Sequence, residues 1–455
     1  MLRQLGVILA GAMVLAGCTT GTVYQVGPDR PIKSVKAIVD QLQPGDIVQI
    51  DPGVYHEIVK VKASGTAAAP ILIGGVPGKP RPVFDAAGIV VSGKGKIPRA
   101  VFQIEGDHVM LDHLELANAH DDPSLKPGTR WVAAGVRFNG GSKVITRAYV
   151  HDCYIHHNDN GVVSNDVDTF LVESCEVAFN STDKDQGYTH NFYPHCNHLI
   201  VRNCYVHDST YGQNVKCRAH FVELWHNWIA DSNEGEVGPV DEHPGRFDST
   251  TRPDSNALLV GNVIVSHPRT KDGNPAKFIL FGSELPDNKV IGHNGTLYLF
   301  NNTLVAGTDK IVFIQLADPA ARLVASNNIF YGSDNILGLQ KPAASIAGSN
   351  NLVPANAKVP AEWAGTIKGD PQFVKATVRY FSLRRDSPAF DAAVEKVSYV
   401  DGNGKTQTLE IPRVGFPYPW IPFPRDGKPS RPLGAWHLVH IWAMIGVSPT
   451  TRPER

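Results

Sequence analysis

From Leu114 onward the chain repeats one short pattern, in which a small polar or thiol residue is followed by alternating polar and apolar positions. It reads Asp152, Cys153, Tyr154, Ile155, His156, then Ser174, Cys175, Glu176, Val177, Ala178, then Asn203, Cys204, Tyr205, Val206, His207. The frame continues at Asn227-Trp228-Ile229, Asn262-Val263-Ile264, Asn302-Thr303-Leu304 and Asn328-Ile329-Phe330, and begins at Leu114-Glu115-Leu116. Successive spacings are 39, 22, 29, 23, 35, 40 and 26 residues. The short spacings match one coil of a β-solenoid; the long ones read as a coil with an inserted loop or as a double coil. Alternation with period two and no helix-length amphipathic segment between repeats excludes βαβ units. The pattern predicts an all-β chain wound as a parallel β-helix, whose coils stack about 4.8 Å apart so that equivalent positions form ladders. Small Cys and Asn side chains then stack inside a corner, with Asn amides hydrogen-bonding along the axis. On this reading Cys153, Cys175, Cys196, Cys204 and Cys217 are inward packers rather than metal ligands or nucleophiles.

Composition agrees. Of 455 residues, 42 are Gly and 33 Pro, and only 19% are charged, which argues against a disordered chain, a coiled coil or a helical bundle. A net charge of −1 gives no global field for nucleic acid, so an anionic ligand has to be held by a local patch. The N-terminus reads as an address: Met1-Leu2-Arg3, an apolar run from Leu5 to Ala16 too short to span a bilayer, then Leu15-Ala16-Gly17-Cys18. These residues resemble a bacterial lipoprotein signal. The resemblance implies removal of residues 1–17, lipidation of Cys18, a tether over 18–23 and, with Thr19 following, an exported chain anchored in the outer membrane. The five remaining cysteines, an odd number, cannot all pair within the chain.

Residues from Tyr24 to Ala86 resemble the opening of right-handed parallel β-helix proteins of the pectate-lyase-like superfamily. A short helix over Ile32–Leu42 is expected to cap the open end, followed by Pro44-Gly45-Asp46-Ile47-Val48 and Pro52-Gly53-Val54-Tyr55. Gly369-Asp370-Pro371-Gln372-Phe373, Phe381-Ser382-Leu383 and Arg431-Pro432-Leu433-Gly434-Ala435 resemble the closing segment of exported solenoids. The resemblance implies one β-helix domain over 24–400 and a segment 401–455 that packs back on the last coils and frays at its end. It defines the scaffold rather than the activity, since this fold hosts lyases, hydrolases, epimerases, esterases and adhesins.

The activity has to be read from one face of the middle coils. In the frame that aligns Cys204 with Asn227, Asn191-Phe192-Tyr193-Pro194-His195 lies over Asn214-Val215-Lys216-Cys217-Arg218. Alternation turns Phe192, Pro194, Val215 and Cys217 inward and leaves Asn191, Tyr193, His195, Asn214, Lys216 and Arg218 outward on adjacent strands. Two cations about 7 Å apart on one face, beneath a Tyr and a His, suit a sugar carboxylate. Removing the proton α to that carboxylate needs the carboxylate neutralised and a base within reach. Lys216 is the base candidate, Arg218 its neighbour, and Tyr193 or His195 the donor to the leaving oxygen; Asn191, Asn214, His190 and Glu223 are the expected sugar-binding residues.

Tyr211 to Ala219, through His226-Asn227, is similar to the Lys-bearing strand of β-helix polysaccharide lyases of the alginate lyase and chondroitinase B type. That similarity implies a Lys base, an assisting Arg and calcium on the carboxylate, and carries over to Lys216 and Arg218; the Arg-His-Gly pattern that follows in those lyases is absent here. The oxygen-rich run Ser232 to Glu236 offers Glu234 and Glu236 as calcium ligands. The reading is a monomeric lyase acting on an acidic polysaccharide by β-elimination. A glycoside hydrolase, a uronate C5-epimerase, or a non-catalytic carbohydrate-binding or surface protein stands as the alternative.

Overall fold

The computed structural model describes residues 21–410 apart from 92–97, 123, 125–132, 184–187, 241–254, 267–276, 284–293, 341, 344, 385 and 390–391. The signal segment, Cys18 and residues 411–455 lie outside the described residues. The chain winds as a parallel β-helix, consistent with right-handed winding, with three parallel ladders along its axis. The first runs from Val59–Val61 to Leu337–Leu339, the second from Val23–Val26 to Trp363–Ala364, and the third from Val54–Tyr55 to Ile367–Lys368. In the middle coils the first two ladders merge, because Asn160–Glu173, Phe192–Arg202 and Gln213–Trp225 are single long strands that serve both. Adjacent third-ladder strands pair directly across the 39- and 40-residue spacings, so each long spacing is one coil with an insertion.

Alternation fills the interior. Val162, Phe170, Val172, Phe192, Leu199, Val201, Val215, Val222 and Leu224 are all fully buried in one continuous core. Between the second and third ladders each coil turns on a residue with left-handed backbone, as at Asp152, Ser174, Asn203, His226, Asn301 and Asn327, followed by the repeat's small residue. Those small residues form the expected ladder. The Cys153 and Cys175 amides donate to the next thiol at 3.4 Å, and the Cys204 amide donates to Asn227 Oδ1 at 2.9 Å. From there Asn227, Asn262, Asn302, Asn328 and Asn351 bond amide to amide, with Nδ2–Oδ1 distances of 2.9 to 3.1 Å. All five internal cysteines are free and buried.

Both ends depart from expectation. No α-helix spans Ile32–Leu42; the segment holds one 3-10 turn, Val35–Ala37. Ser34 starts it, and the Val35 amide donates to Glu57 at 3.0 Å. Val35, Ile38, Val39 and Leu42, at the i, i+3, i+4, i+7 spacing of one helical stripe, nevertheless all turn into the core, so the irregular turns bury the apolar face a helix would have presented. At the other end the chain leaves the last coil after Lys368 and runs back along the outside. Phe373, Phe381 and Ala389 pack on the outer face of the third ladder against Trp228, Val263, Val305 and Ile329, and Arg379 forms an ion pair with Asp231. The hairpin Lys396–Val400 and Thr406–Glu410 then lies on Phe221, Leu258, Tyr298 and Phe300. The described part of the terminal segment therefore covers middle coils rather than the last ones, because those coils expose aromatic and aliphatic residues outward.

Outer corners carry ion pairs that fix protonation. Asp152 accepts from Arg81 at 2.5 Å and faces His113 Nδ1 at 2.6 Å. The hydrogen bond to Asp152 holds His113 protonated above the usual imidazole range. His207 is raised too: burial opposes its charge, but Asp208 and Glu176 outweigh burial. Asp152 is lowered, since His113 and Arg81 outweigh the cost of burying it.

Two outcomes are expected. Asn262→Ala removes a bond to Asn302, a bond to the Leu224 carbonyl and the acceptor for Asn227. It should lower unfolding free energy by about 2–4 kcal/mol in chemical denaturation, whereas Cys175→Ala should cost less. Across pH, the stabilisation from His113 and His207 is complete below the unfolded imidazole value of about 6.5 and is lost as pH rises through their raised folded values. The Asp152 part is present above about 3.9 and is lost on acidification through its lowered folded value. Denaturation midpoints in Asp152→Asn should lose both dependences at that corner.

Candidate functional site

The middle coils bring the two segments into the predicted register. Phe192 pairs with Val215 and His195 with Arg218, which sets Tyr193 beside Lys216 on the outward side of the first ladder. The Tyr193 ring is the hub. Lys216 Nζ lies 5.6 Å and the Arg218 guanidinium carbon 5.7 Å from its centroid, and Arg218 Nε donates to its hydroxyl oxygen at 3.2 Å. His190 and His195 meet the ring edge-on, with centroids 4.9 and 5.0 Å away. Cations over an aromatic face gain from its negative quadrupole, so the ring holds two positive charges close together where water would otherwise have to.

The patch is recessed rather than open. Lys216 is 3% and Arg218 8% exposed, and His190 is fully buried. His190 Nδ1 accepts from the Gln213 amide at 2.9 Å, which leaves the neutral ring's proton on Nε2. A β-bulge sits under His195: Pro194 pairs with Ser164 and Cys196 with Val167, so Asn165 and Asp166 together oppose one histidine. Asp166 takes the left-handed backbone there, and such bulges re-aim side chains beside sites.

Five expected site residues lie elsewhere in role or place. Asn191 and Asn214 are fully buried and face inward, because the chain turns a corner just before each strand and alternation does not carry through the turn. They belong to a second internal ladder. Asn180 donates to Asn191 at 2.9 Å, Asn191 to Asn214 at 2.8 Å, and Asn214 to Glu236 at 2.7 Å. Glu236 closes that ladder, its other oxygen accepting from the Ser232 amide at 3.1 Å, so both its oxygens are engaged inside the wall. Glu223 stands seven residues beyond Lys216, on the order of 20 Å along the strand, bound to His198 at 2.6 Å and to Trp225 at 2.7 Å. Glu234 lies one residue before the strand Gly235–Pro239, and its carbonyl accepts from Lys277. Among the described residues no three His, Cys, Asp or Glu side chains converge as a metal-ligand set, and the bonds to Asn214 and Ser232 turn Glu236 away from the calcium role expected of it.

One cation escaped the sequence reading. Arg137 stands outward in the column that continues through Val163 to Tyr193, and is 7% exposed. Burial, followed by the nearby Arg99, pushes its value down to about 10. The signal was available in the alternation of Val136, Arg137 and Phe138, but the inserted loop before it hides the register.

No family model and no curated protein sequence matches the chain. Solved structures with similar folds include one of XylC with xylose, at 9% identity and a TM-score of 0.50, covering 87% of this chain and 98% of that one. Pectate lyase Pel9A matches at 13% identity and a TM-score of 0.45, covering 84% and 94% respectively. An alginate lyase from Paenibacillus sp. str. FPU-7 matches at 12% identity and a TM-score of 0.47, covering 72% and 99%. At these identities the likeness concerns the β-helix scaffold alone.

Because Asn191 is structural, Asn191→Ala should destabilise the middle coils by about 2–4 kcal/mol in denaturation. Ligand affinity, measured below the unfolding transition, should change little. A large loss of affinity without loss of stability would return Asn191 to the ligand surface.

Proposed function

We propose that the chain is a carbohydrate-active enzyme that cleaves a uronate-containing polysaccharide by β-elimination, at the rung of Tyr193, Lys216 and Arg218. The observation that carries this reading is the convergence of Lys216 and Arg218 on Tyr193, on a recessed face of a solenoid whose axis can lie along a linear polymer. Arg218 would pair with the substrate carboxylate and hold the charge that builds on it as the neighbouring C–H bond breaks. Lys216, as the neutral amine, would take the C5 proton. The C–H electrons form the C4–C5 double bond while the C4–O4 bond breaks, and O4 leaves with a proton from Tyr193 or His195. Arg218 Nε already donates to the phenol oxygen. The phenol hydrogen is thus turned away from the guanidinium and is available to a leaving oxygen. The lipoprotein-type signal ending at Cys18 supports placing the enzyme at the outer membrane.

The test is ultraviolet absorbance from a new unsaturated uronate on alginate, pectate or a glycosaminoglycan. Lys216→Ala should lower that rate by about 10²- to 10⁴-fold while the thermal midpoint stays near wild type. Reducing ends without the absorbance would indicate hydrolysis, epimer exchange without cleavage would indicate an epimerase, and binding without either would indicate a non-catalytic role. Full activity in Lys216→Ala would remove that residue as the base.

A further inference from the structure

The last coils hold two adjoining cavities, of about 330 and 220 Å³, that share Tyr331 and Asp370. They lie where the chain leaves the third ladder for the first. Asp309, Asp334 and Asp370 stand in the turns after the strands Thr303–Val305, Ile329–Tyr331 and Ile367–Lys368. The larger cavity, lined also by Pro354 and Ala355, falls in the size range of small-ligand sites, about 300–1,000 Å³. Its turns are tied from within: the buried Ser333 hydroxyl and the Asn335 amide both donate to the Asp309 carbonyl at 2.9 Å. Tyr331 is half-buried, and Phe373 meets its ring edge-on with 5.5 Å between centroids. The phenol is thereby held as a wall common to both cavities.

We infer that these cavities are a second glycan site, which takes a sugar ring carrying no acid group and stacks it on Tyr331. The larger cavity has three carboxylates and no basic side chain among its lining residues. In the smaller one Arg384 lies 3.3 Å from Asp386, and the neighbouring Lys368 ammonium is spent on the Ala357 carbonyl at 2.9 Å. A uronate would therefore meet like charge on three sides. A metal ion fits no better, because among the described residues the carboxylates do not converge as a ligand set. They are spread over turns of different coils. Backbone and side-chain donors orient two of them: the Gln372 amide donates to Asp370 at 2.7 Å and the Thr308 hydroxyl to Asp309 at 3.1 Å. Spaced acceptors around an aromatic wall suit a pyranose, whose hydroxyls donate to carboxylates in charge-assisted bonds while its C–H face covers the ring. The site belongs to coils beyond the one that holds Lys216, so it stands whether or not the Lys216 rung is a lyase centre.

The experiment titrates the full chain calorimetrically with xylotetraose, cellotetraose, mannotetraose, a glucosamine tetramer, tetragalacturonate and calcium chloride. It compares wild type with Tyr331→Ala, Tyr331→Phe, Asp334→Asn and Asp370→Asn, with a melting curve for each. At least one non-acidic tetramer should bind. Tyr331→Ala should weaken that binding by about tenfold, Tyr331→Phe should keep it, and each Asp→Asn variant should weaken it by about threefold to tenfold. Any binding of tetragalacturonate should be indifferent to all four substitutions. If Tyr331→Ala lowers the melting midpoint, the Asp variants, whose side chains are exposed, carry the test. Absence of binding by every non-acidic tetramer at about millimolar concentration would overturn the inference. So would sugar binding that none of the variants weakens, tetragalacturonate binding that depends on Tyr331, or calcium bound through Asp334 and Asp370 with no sugar bound.

Discussion

The fold depends on one constraint: every inward polar atom at a coil's corner must find its partner on the next coil, because no water reaches it there. A side-chain amide meets that need in two directions at once, accepting from the coil on one side and donating to the coil on the other. Asn262 does so, accepting from Asn227 and donating to Asn302 and to the Leu224 carbonyl. A slip of one residue in any coil would leave several buried groups without partners, each at a cost of about 1–3 kcal/mol. Register is therefore set from the inside, and with it which outward side chains share a rung. The meeting of Lys216, Arg218 and Tyr193 is a product of that interior arithmetic as much as of their own attraction.

The ladder is not uniform, and its weaker stretch coincides with the candidate site. Cys175 and Cys204 accept through sulfur at 3.4 Å where Asn227 accepts through oxygen at 2.9 Å. Over those same coils a second corner carries its own amide run, from Asn158 through Asn180, Asn191 and Asn214 to Glu236. Gly135 and Gly161 make the first part of it fit, since a Cβ at either would fall 2.9 Å from the amide nitrogen of Asn158 or Asn180. Where the later coils have Asn191 and Asn214 at the strand start, the amide comes from that position instead. Two partly redundant columns thus hold the long strands that present the cations, and the returning C-terminal segment closes the outer faces of the neighbouring coils.

Much of this was legible in the sequence, and the failures share a cause. The Cys and Asn frame gave the third ladder, the corner and the register of Tyr193 against Lys216, because period-two alternation and a single recurring corner residue are local signals. Asn191 and Asn214 were misplaced because alternation was carried across a corner, where the chain changes direction and a side chain can turn in on both sides of a turn. The capping helix that the resemblance implies over Ile32–Leu42 is instead one 3-10 turn, although Val35, Ile38, Val39 and Leu42 are all buried in the core. Arg137 was missed because the insertion ahead of it breaks the count between coils. Glu236 looked like a hard metal ligand because an isolated carboxylate carries no sign, in sequence, of the amide that holds it. What sequence cannot show is which polar residue is spent inside the wall.

Burying cations at the site has an electrostatic consequence. Lys216 and Arg218 are almost fully recessed, and taking such charges out of water costs several kcal/mol each unless something nearby repays it. The Tyr193 face repays part, and its hydroxyl gives Arg218 an acceptor. Val163, with Ala100 and Ala134, packs against the same ring. The strand register that pairs Phe192 with Val215 and His195 with Arg218 is therefore also what brings the Tyr193 ring to both buried cations.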